Sequence, residues 1–423
     1  MIYFKSGSET TAITASELKD AVFSALAKLG ERKKVLVVPP DFTRFHSRAG
    51  DLTSIIYKYY RQNLKDILPA LGTHSPMTAE EIHEMFGEVP KDLFRIHDWR
   101  KDVVTIGTVP GKYVSDLTDG ALDYDWPAQL NKLVFNGGHD LILSVGQVVP
   151  HEVIGMANYN KNLLVGTGGP EGINKSHFIG AVFGMERIMG KAINPVRSLL
   201  NKAASDYMNH LPVVYVQTVI GYDNSGKLVI RGLYIGDDIE VFTLAAELSI
   251  KVNFKMLEKP LEKVVVYLDP SEFKSTWLGN KSVYRTRMAM ADKGELIVLA
   301  PGLKEFGEDK EIDRLIRKYG YRGTPATLGS VNENDELRKN LSAAAHLIHG
   351  SSEGRFSITY CPGKLTKKEI ESVNFNYADL SEMLKIYDPG KLTDGINIMA
   401  DGKEIFYISN PALGLWAYKN RIS

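Results

Sequence analysis

Two histidines and a lysine lie close together in the middle of the chain, and their side chains are suited to acid–base chemistry. His151 comes just after an apolar, strand-like run that ends at Pro150. Lys161 follows ten positions later, and His177 stands in the first turns of a helical pattern. An imidazole can give or take a proton near neutral pH. Each residue also has an ordinary structural explanation, because most lysines lie on the surface and many histidines cap helices or pack in cores.

A glycine-rich turn lies between Lys161 and His177. Leu163 to Val165 are predicted to form a short strand, which is followed by Gly166, Gly168 and Gly169 and then by a helix. Free backbone N–H groups at a strand-to-helix turn can bind a phosphate. The turn does not match the dinucleotide motif G-x-G-x-x-G, because position 171 is glutamate, and it lacks the Lys-Ser/Thr pair of a P-loop. The sequence therefore predicts an anion site that is not a standard nicotinamide or nucleoside-triphosphate site.

Other candidate residues follow two predicted strands nearer the N-terminus. Asp41, Thr43 and Arg44 come directly after the buried run Val35 to Val38, and His74 follows the run Ile67 to Leu71. The carboxyl ends of parallel strands are the usual ligand positions in α/β sheets. The Arg44 guanidinium suits a carboxylate or a phosphate, and Asp41 and Thr43 can hydrogen-bond a ribose or a phosphate. In a parallel sheet His74 and His151 would face one crevice, so they could act on one substrate from opposite sides.

The second half of the chain has fewer candidates. Lys281 and Trp277 follow the predicted strand Val264 to Leu268, and Lys281 is a candidate anion-binding residue. Residues 349–355 form a polar, glycine-containing loop that either lines a hydroxyl-rich substrate or is simply a turn.

The elements that position these residues alternate between strands and helices. Helical spacing covers residues 15–29, 52–62 and 238–254, and Thr78 with Glu81 forms a capping box at the start of another helix. Repeated strand–loop–helix order predicts an α/β protein with mainly parallel sheets. Asn224-Ser225-Gly226 indicates a hairpin. A polar, proline-containing stretch near 255–262 divides the chain into two predicted α/β domains, residues 1–258 and 259–423.

Composition excludes several classes of protein. Of the 423 residues, 44% are hydrophobic and 24% are charged, as in ordinary globular proteins. Lys plus Arg equals Asp plus Glu, 51 against 51, which argues against binding to nucleic acid or to an anionic membrane. The single cysteine, Cys361, excludes an internal disulfide and a multi-cysteine metal site. Without an apolar run of membrane length or a signal-peptide pattern, we expect a cytoplasmic location.

Taken in order, the candidate residues resemble the lactate racemase family, the nickel-pincer nucleotide enzymes. The residues that carry the resemblance are Asp41-x-Thr43-Arg44, Gly72-Thr73-His74, His151, Lys161, His177 and Lys281. The most specific part is the segment VGQVVPHEVIGMANYNKNLLVGTGGPEGINKSH, with its spacing of histidines and lysine. The resemblance implies two α/β domains with the active site in the cleft between them. It also implies a pyridinium mononucleotide that carries nickel through two sulfurs and a ring carbon.

The resemblance also implies a role for each residue. Lys161 would hold the cofactor covalently through a thioamide, and His177 would complete the nickel coordination. Asp41, Thr43 and the glycines 166, 168 and 169 would lie near the ribose and phosphate of the nucleotide, with Arg44 beside the cofactor and the substrate.

His74 and His151 would be the paired acid/base residues, and Lys281 and Trp277 would lie at the substrate. In lactate-specific members a tyrosine would be expected at Trp277 and a polar residue at Leu278.

The activity implied is racemisation or epimerisation of a 2-hydroxy acid by reversible hydride transfer to the cofactor, with the histidines exchanging protons on opposite faces. The partners implied are a small 2-hydroxy acid and the cofactor biosynthesis proteins. Two alternatives remain: a sugar-acid 2-epimerase, favoured by the polar loop at 349–355, and a non-catalytic protein that binds the cofactor or an organic acid. A carrier would need Lys161 and His177 but not the pair His74 and His151.

Overall fold

The chain divides into two compact units in a computed structural model that describes residues 1–223, 225–307, 309–411 and 414–421. The first unit comprises Met1–Phe183 and Arg187–Asn253, and the second comprises Gly184–Glu186 and Phe254–Ser423. The main division thus falls between Asn253 and Phe254, a few residues before the predicted boundary at 258/259.

The first part of the chain, through Asn253, alternates between strands and helices. The strands are β1 (Ile2–Gly7), β2 (Val35–Val38), β3 (Leu64–Ile67), β4 (Val103–Val109), β5 (Trp126–Asn131), β6 (Leu141–Gln147), β7 (Pro150–His151), β8 (Gly155–Met156), β9 (Val213–Tyr222) and β10 (Leu228–Gly236). The helices are α1 (Ala15–Lys28), α2 (Ala49–Tyr60), α3 (Ala79–Phe86), α4 (Gly111–Leu117), α5 (Lys132–Asn136), α6 (Asn160–Leu164), α7 (Pro170–Phe183), α8 (Met185–Ile188), α9 (Pro195–Tyr207) and α10 (Ile239–Asn253).

The main sheet of the first unit has the strand order β1-β10-β9-β6-β2-β3. Strands β9, β6, β2 and β3 are parallel, whereas β10 and β1 are antiparallel additions at one edge. All four residues of β2, Val-Leu-Val-Val, are buried, as expected for a central parallel strand covered on both faces. Apolar clusters pack against both faces of the sheet. Strands β2 and β6 are adjacent and parallel, so their carboxyl ends lie side by side at the same end of the sheet. The chain continues from β2 toward β3 and from β6 toward β9, on opposite sides of this pair, and such a switch point is the usual ligand position in an α/β sheet.

Several local predictions are confirmed in this unit. Thr78 caps α3 and forms the predicted capping box with Glu81. The predicted hairpin is formed by the antiparallel pair β9 and β10, although Asn224 in its turn lies outside the described residues.

Two predicted strands are placed differently. The run Leu163 to Val165 is not a strand, because Leu163 and Leu164 belong to helix α6. A short apolar run fits a buried helix as well as a strand, so its pattern alone does not discriminate between them. The strand predicted at Ile67 to Leu71 is instead β3, which ends at Ile67. His74 therefore stands in a loop several residues beyond the end of the strand.

The second unit repeats the alternating pattern. Its strands are β11 (Lys255–Leu257), β12 (Leu261–Tyr267), β13 (Met290–Ala300), β14 (Ser357–Pro362), β15 (Asn376–Tyr377), β16 (Gly395–Ile398), β17 (Glu404–Ile408) and β18 (Trp416–Tyr418). Its helices are α11 (Thr276–Gly279), α12 (Lys281–Tyr284), α13 (Lys310–Tyr319), α14 (Thr324–Glu333), α15 (Asp335–Arg338), α16 (Leu341–His349), α17 (Lys367–Ser372) and α18 (Leu380–Ile386).

The main sheet of the second unit has the order β15-β14-β13-β12-β17-β16 and is parallel except for β16. The predicted α/β class with mainly parallel sheets is thus confirmed in both units. Between the short helix α11 and the strand β13, which begins at Met290, the chain forms the short helix α12.

Candidate active site

The predicted site residues of the first unit gather where β2 and β6 end. Asp41 follows β2 directly and is the N-cap of a 3-10 helix over Phe42–Ser47, which carries Thr43 and Arg44. His151 follows β6 in the short hairpin of β7 and β8. Lys161 lies in α6 and His177 in α7. Electrostatic coupling among His151, Lys161, His177 and Arg44 shows that these four side chains share one neighbourhood.

His74 is held by Asp41. Its Nδ1 lies 2.6 Å from Asp41 Oδ2, and Asp41 also accepts hydrogen bonds from the backbone N–H and the hydroxyl of Thr43. Burial opposes ionisation of Asp41, yet the contacts with His74, Thr43 and Arg44 keep the pKa of this carboxyl below its ordinary value. The neutral His74 ring thus donates from Nδ1 and has its acceptor lone pair on Nε2. Because the His74 side chain is 56% exposed, Nε2 is accessible to a substrate.

His151 has the opposite arrangement of ring nitrogens. It is buried, and its Nδ1 accepts the backbone N–H of Val153 at 3.2 Å. The neutral ring therefore carries its hydrogen on Nε2. Burial lowers the pKa of His151 well below its ordinary value, and the charges of Lys161 and Arg44 act in the same direction, against Glu152. His151 is consequently a neutral hydrogen-bond donor at Nε2 near pH 7, whereas the neutral tautomer of His74 that donates to Asp41 has an acceptor at Nε2.

Lys161 combines a half-buried amine with nearby positive charge. Burial, together with the charges of Arg44 and Arg197 and against the carboxylates Glu152 and Asp41, lowers the pKa of Lys161 to about 8. At pH 7 about a tenth of this amine is therefore uncharged, far more than for an ordinary lysine, and the uncharged amine is the nucleophilic form. This property fits the covalent attachment that the resemblance implies.

His177 also has a defined tautomer. Its Nδ1 donates to the backbone carbonyl of Ile173, one turn earlier in α7, at 2.8 Å. The Nε2 lone pair remains available to an electrophile or a metal, and such a backbone contact is typical of metal-binding histidines. Burial lowers the pKa of His177, which further favours the neutral, ligating form. The donor set therefore fits an imidazole ligand to a metal that is otherwise held by its own cofactor.

The glycine turn differs from its prediction. It joins two helices, α6 and α7, and the N–H groups of Gly166 and Gly168 already donate to the carbonyls of Lys161 and Val165. These two donors are therefore not the free N–H groups that the sequence suggested for a phosphate. Close packing explains the glycines: a Cβ at Gly166 would lie 2.4 Å from Asn162 O, and one at Gly168 would lie 2.1 Å from Leu164 O. Binding of the nucleotide near this turn, including Gly169, stays a prediction.

The turn is tied to the loop that carries His74. Gly72 N–H donates to Gly166 O at 2.8 Å. From the other side, the buried His97 donates from Nε2 to Gly168 O at 3.1 Å and accepts from Asn131 at 2.9 Å. His97 was not among the predicted residues, because it lies far from the turn in sequence and outside any motif.

Two charged residues near Lys161 were also missed. Glu152 influences the pKa of His151, Lys161 and His177, and its position next to His151 was the only sequence signal. Arg197 is fully buried at the start of α9, where it donates to Met156 O, Asn158 O and Asn160 Oδ1. The Cζ atom of the Arg197 guanidinium lies 4.3 Å from the Phe242 ring centroid. Arg197 thereby fixes the backbone that leads into α6.

In the second unit, Trp277 and Lys281 follow β12, as expected, on the short helices α11 and α12. The Trp277 ring packs on His346 with centroids 4.3 Å apart, and Lys281 Nζ lies 5.7 Å from the Phe273 ring centroid. Burial lowers the pKa of His346 to about 3, so this ring is neutral. The roles of Trp277 and Lys281 at a substrate stay predictions.

The polar loop at 349–355 is largely engaged within its own unit. The Ser351 hydroxyl lies 2.9 Å from both Ile348 O and Glu353 Oε1 and donates to one of them, while Arg355 pairs with Glu186 at 2.8 Å and with Asp292 at 2.9 Å. Ser351 and Arg355 are thus held by partners within this unit, and the sugar-acid alternative stays a prediction.

Within the described ranges, no group of three or more His, Cys, Asp or Glu side chains could hold a metal ion. Nor does any helix in those ranges have the length and apolar character needed to cross a bilayer.

Comparison with known proteins shows what the first part of the chain is similar to. The family model for the lactate racemase N-terminal domain matches residues 7–188. The resemblance to the lactate racemase family is confirmed over this range. All the site residues predicted in the first unit lie within the lactate racemase N-terminal match, whereas Trp277 and Lys281 lie beyond it.

Two solved structures share the fold of nearly the whole chain. A structural-genomics protein from Thermotoga maritima aligns with a TM-score of 0.78 and 24% identity, covering 96% of this chain and 98% of that chain. The lactate racemase apoprotein from Thermoanaerobacterium thermosaccharolyticum aligns with a TM-score of 0.71 and 18% identity, covering 96% and 94%. Among curated proteins, none matches the sequence significantly.

Proposed function

We propose that this protein is a racemase or epimerase of a 2-hydroxy acid that uses a nickel-pincer nucleotide bound to Lys161. The observation that carries the proposal is the combination, in one neighbourhood, of a lysine whose pKa is lowered to about 8 and histidines in defined tautomers. A purely structural role for these residues does not require a depressed amine pKa or two imidazoles with opposite donor patterns.

The residues fit the cofactor as follows. Lys161 would hold it covalently, and the Nε2 atom of His177 would be the protein's ligand to nickel. When bound, the cofactor would supply an electrophilic centre for reversible hydride transfer at the substrate carbon. Arg44 contributes positive charge near Lys161, suited to the anionic groups of nucleotide and substrate.

In this proposal, His74 and His151 transfer the protons. His74 Nε2 can accept the hydroxyl proton of one enantiomer, while Asp41 orients the ring and stabilises the imidazolium that forms. On the opposite face, the neutral His151 ring can hydrogen-bond the substrate oxygen through Nε2; to protonate that oxygen when the product forms, His151 would act from its imidazolium form and end as the neutral ring. Microscopic reversibility exchanges these roles in the other direction. Lys281 and Trp277 of the second unit are retained as proposed substrate contacts.

The proposal is tested with protein co-expressed with the cofactor biosynthesis proteins. Lactate and a panel of longer chiral 2-hydroxy acids should be screened for epimerisation, with Lys161→Ala protein from the same pathway as the control. We expect one acid to racemise with wild-type protein only. The proposal is wrong if loaded wild-type protein racemises none of them, or if Lys161→Ala is equally active.

The same cofactor-loaded protein tests whether His74 and His151 act on opposite faces of the substrate. His74→Ala and His151→Ala should each lower net racemisation by about a hundredfold or more. In single turnovers with pure isomers, each variant should still form 2-oxo acid from one enantiomer, and the enantiomer should differ between them. If both variants oxidise the same isomer, the two-sided assignment fails.

A further inference from the structure

Two buried carboxamides, Asn158 just before α6 and Gln217 in β9, have no hydrogen-bond partner in the described part of the chain. Asn158 is 6% exposed and Gln217 is fully buried. Neither the oxygen nor the nitrogen of either amide is paired with a described residue. Buried polar atoms are nearly always hydrogen-bonded, because an unpaired one loses its contacts with water without replacement. Four such atoms in one region call for a ligand that both donates and accepts.

The two amides lie on either side of Gly146. Gly146 at the end of β6 is paired with Gln217 on β9, and laterally paired residues of parallel strands project to the same face. A Cβ added to Gly146 would lie 3.0 Å from Asn158 Nδ2 and 3.6 Å from Pro40 Cδ. Pro40 immediately precedes Asp41, and Asn158 is three positions before Lys161. The carboxamides therefore border the candidate active site.

The fold holds Asn158 in place. Its φ of 65° lies in the left-handed region, which asparagine tolerates better than most residues. Arg197 donates to Asn158 O at 3.3 Å and to Met156 O at 2.5 Å. The direction of the Asn158 side chain is thus set by buried contacts of its own backbone.

We propose that Asn158 and Gln217 bind the ribose hydroxyls of the pyridinium mononucleotide, an inference that rests on the proposed function. A carboxylate or phosphate only accepts hydrogen bonds and would leave both amide oxygens unpaired. A ribose hydroxyl both donates and accepts, so a diol matches two carboxamides. Asp41 and Thr43, the residues first considered for the ribose, are already bonded to His74 and to each other.

Calorimetry on the apoprotein tests this with nicotinic acid mononucleotide and its 2′-deoxy analogue. Wild-type protein should bind the ribonucleotide more tightly by about tenfold, which corresponds to one well-made hydrogen bond. In Asn158→Gly, which keeps the backbone conformation, and in Gln217→Leu, this preference should fall to about twofold or less. The inference is overturned if wild-type protein binds both nucleotides equally, binds neither, or if the variants keep the wild-type preference.

A stability measurement separates lost recognition from misfolding. Gln217→Leu removes an unpaired buried amide, so the apoprotein should unfold at the same or a higher denaturant concentration than wild type. Tyr60→Phe is the matched control, because the buried Tyr60 hydroxyl also lacks a partner in the described ranges but lies in the cluster that packs α1 and α2. Tyr60→Phe should keep the wild-type preference for the ribonucleotide. If Tyr60→Phe also loses this preference, the effect comes from general repacking and the inference is overturned.

Mass spectrometry after co-expression with the cofactor pathway distinguishes the two proposals. Wild-type and Tyr60→Phe proteins should carry the Lys161 adduct, and Asn158→Gly and Gln217→Leu should carry less of it. An absent wild-type adduct together with a clear ribose preference would reject the cofactor proposal and support the ribose site. A full wild-type adduct without any preference for the ribonucleotide would support the cofactor proposal and reject the ribose site.

Discussion

The His74 imidazole donates its Nδ1 hydrogen to the Asp41 carboxylate, with 2.6 Å between the nitrogen and Oδ2, although the residues are 33 positions apart. The carboxylate fixes the ring orientation and places the acceptor lone pair on Nε2. Asp41 is therefore better explained as the partner of His74, the proposed acid/base residue, than as a residue that contacts the nucleotide.

Asp41→Asn should lower the racemisation kcat by about a hundredfold, because the amide neither fixes the tautomer nor stabilises the imidazolium. Nitrogen-15 NMR of the apoprotein should show Nδ1–H in wild-type His74 and a mixture of tautomers in the variant. Asp20→Asn, at an exposed position of α1, is the control. An unchanged tautomer and unchanged kcat in Asp41→Asn would contradict the assignment.

The pair should also influence stability at acid pH. The pKa of Asp41 is lower in the folded protein than its ordinary value of 3.8. The ionised carboxylate therefore stabilises the fold above about pH 4, and this contribution is lost as the pH falls through the folded-state pKa. The difference in free energy of unfolding between wild type and Asp41→Asn should shrink from about pH 7 to about pH 3 in urea titrations. A difference that stays constant over this range would argue against the pair.

Lys161 should react with amine reagents at lower pH than an exposed lysine does. Its pKa of about 8 predicts that the reductive methylation rate of the apoprotein reaches half its maximum near that pH. Peptide mass spectrometry measures this rate together with that of the exposed Lys368 in the same sample. Parallel pH profiles for the two lysines would show that burial and the nearby cations do not depress the Lys161 pKa.

His177→Ala should lower the nickel content of loaded protein while the Lys161 adduct stays largely in place. The reason is that Nε2 of His177 is the proposed metal donor, whereas attachment depends on the amine. Inductively coupled plasma mass spectrometry gives the nickel content and intact-protein mass gives the adduct. His83→Ala, at an exposed position of α3, should change neither. Full nickel content in His177→Ala would reject this histidine as a ligand.

Arg197→Met should destabilise the first unit by about 3 kcal/mol, because it leaves the buried carbonyls of Met156 and Asn158 without their donor. Lys251→Met, which removes an exposed cation from α10, should change stability by less than about 0.5 kcal/mol. Denaturant midpoints of the apoproteins provide the comparison. Equal midpoints would mean that the Arg197 contacts add nothing to the fold.

The sequence by itself determined the features that depend on neighbouring residues. Alternating apolar runs and helical patterns identify an α/β protein with mainly parallel sheets, and Thr78 with Glu81 marks the start of α3. The spacing of His151, Lys161 and His177 carries the resemblance to the lactate racemase family, and all three lie in one continuous segment within the family-model match. Such signals are short-range and can be read before the chain folds.

Only the tertiary structure decided the features that depend on distant contacts. The order of strands brings Asp41 to His74 and Gln217 beside Gly146, and no local pattern encodes either pairing. The apolar run at Leu163 and Leu164 became a helix, since burial on all sides satisfies a short helix as well as a strand. The tautomers of His151 and His177 and the depressed pKa of Lys161 likewise arise from burial and hydrogen bonding, which exist only once the polypeptide has packed around them.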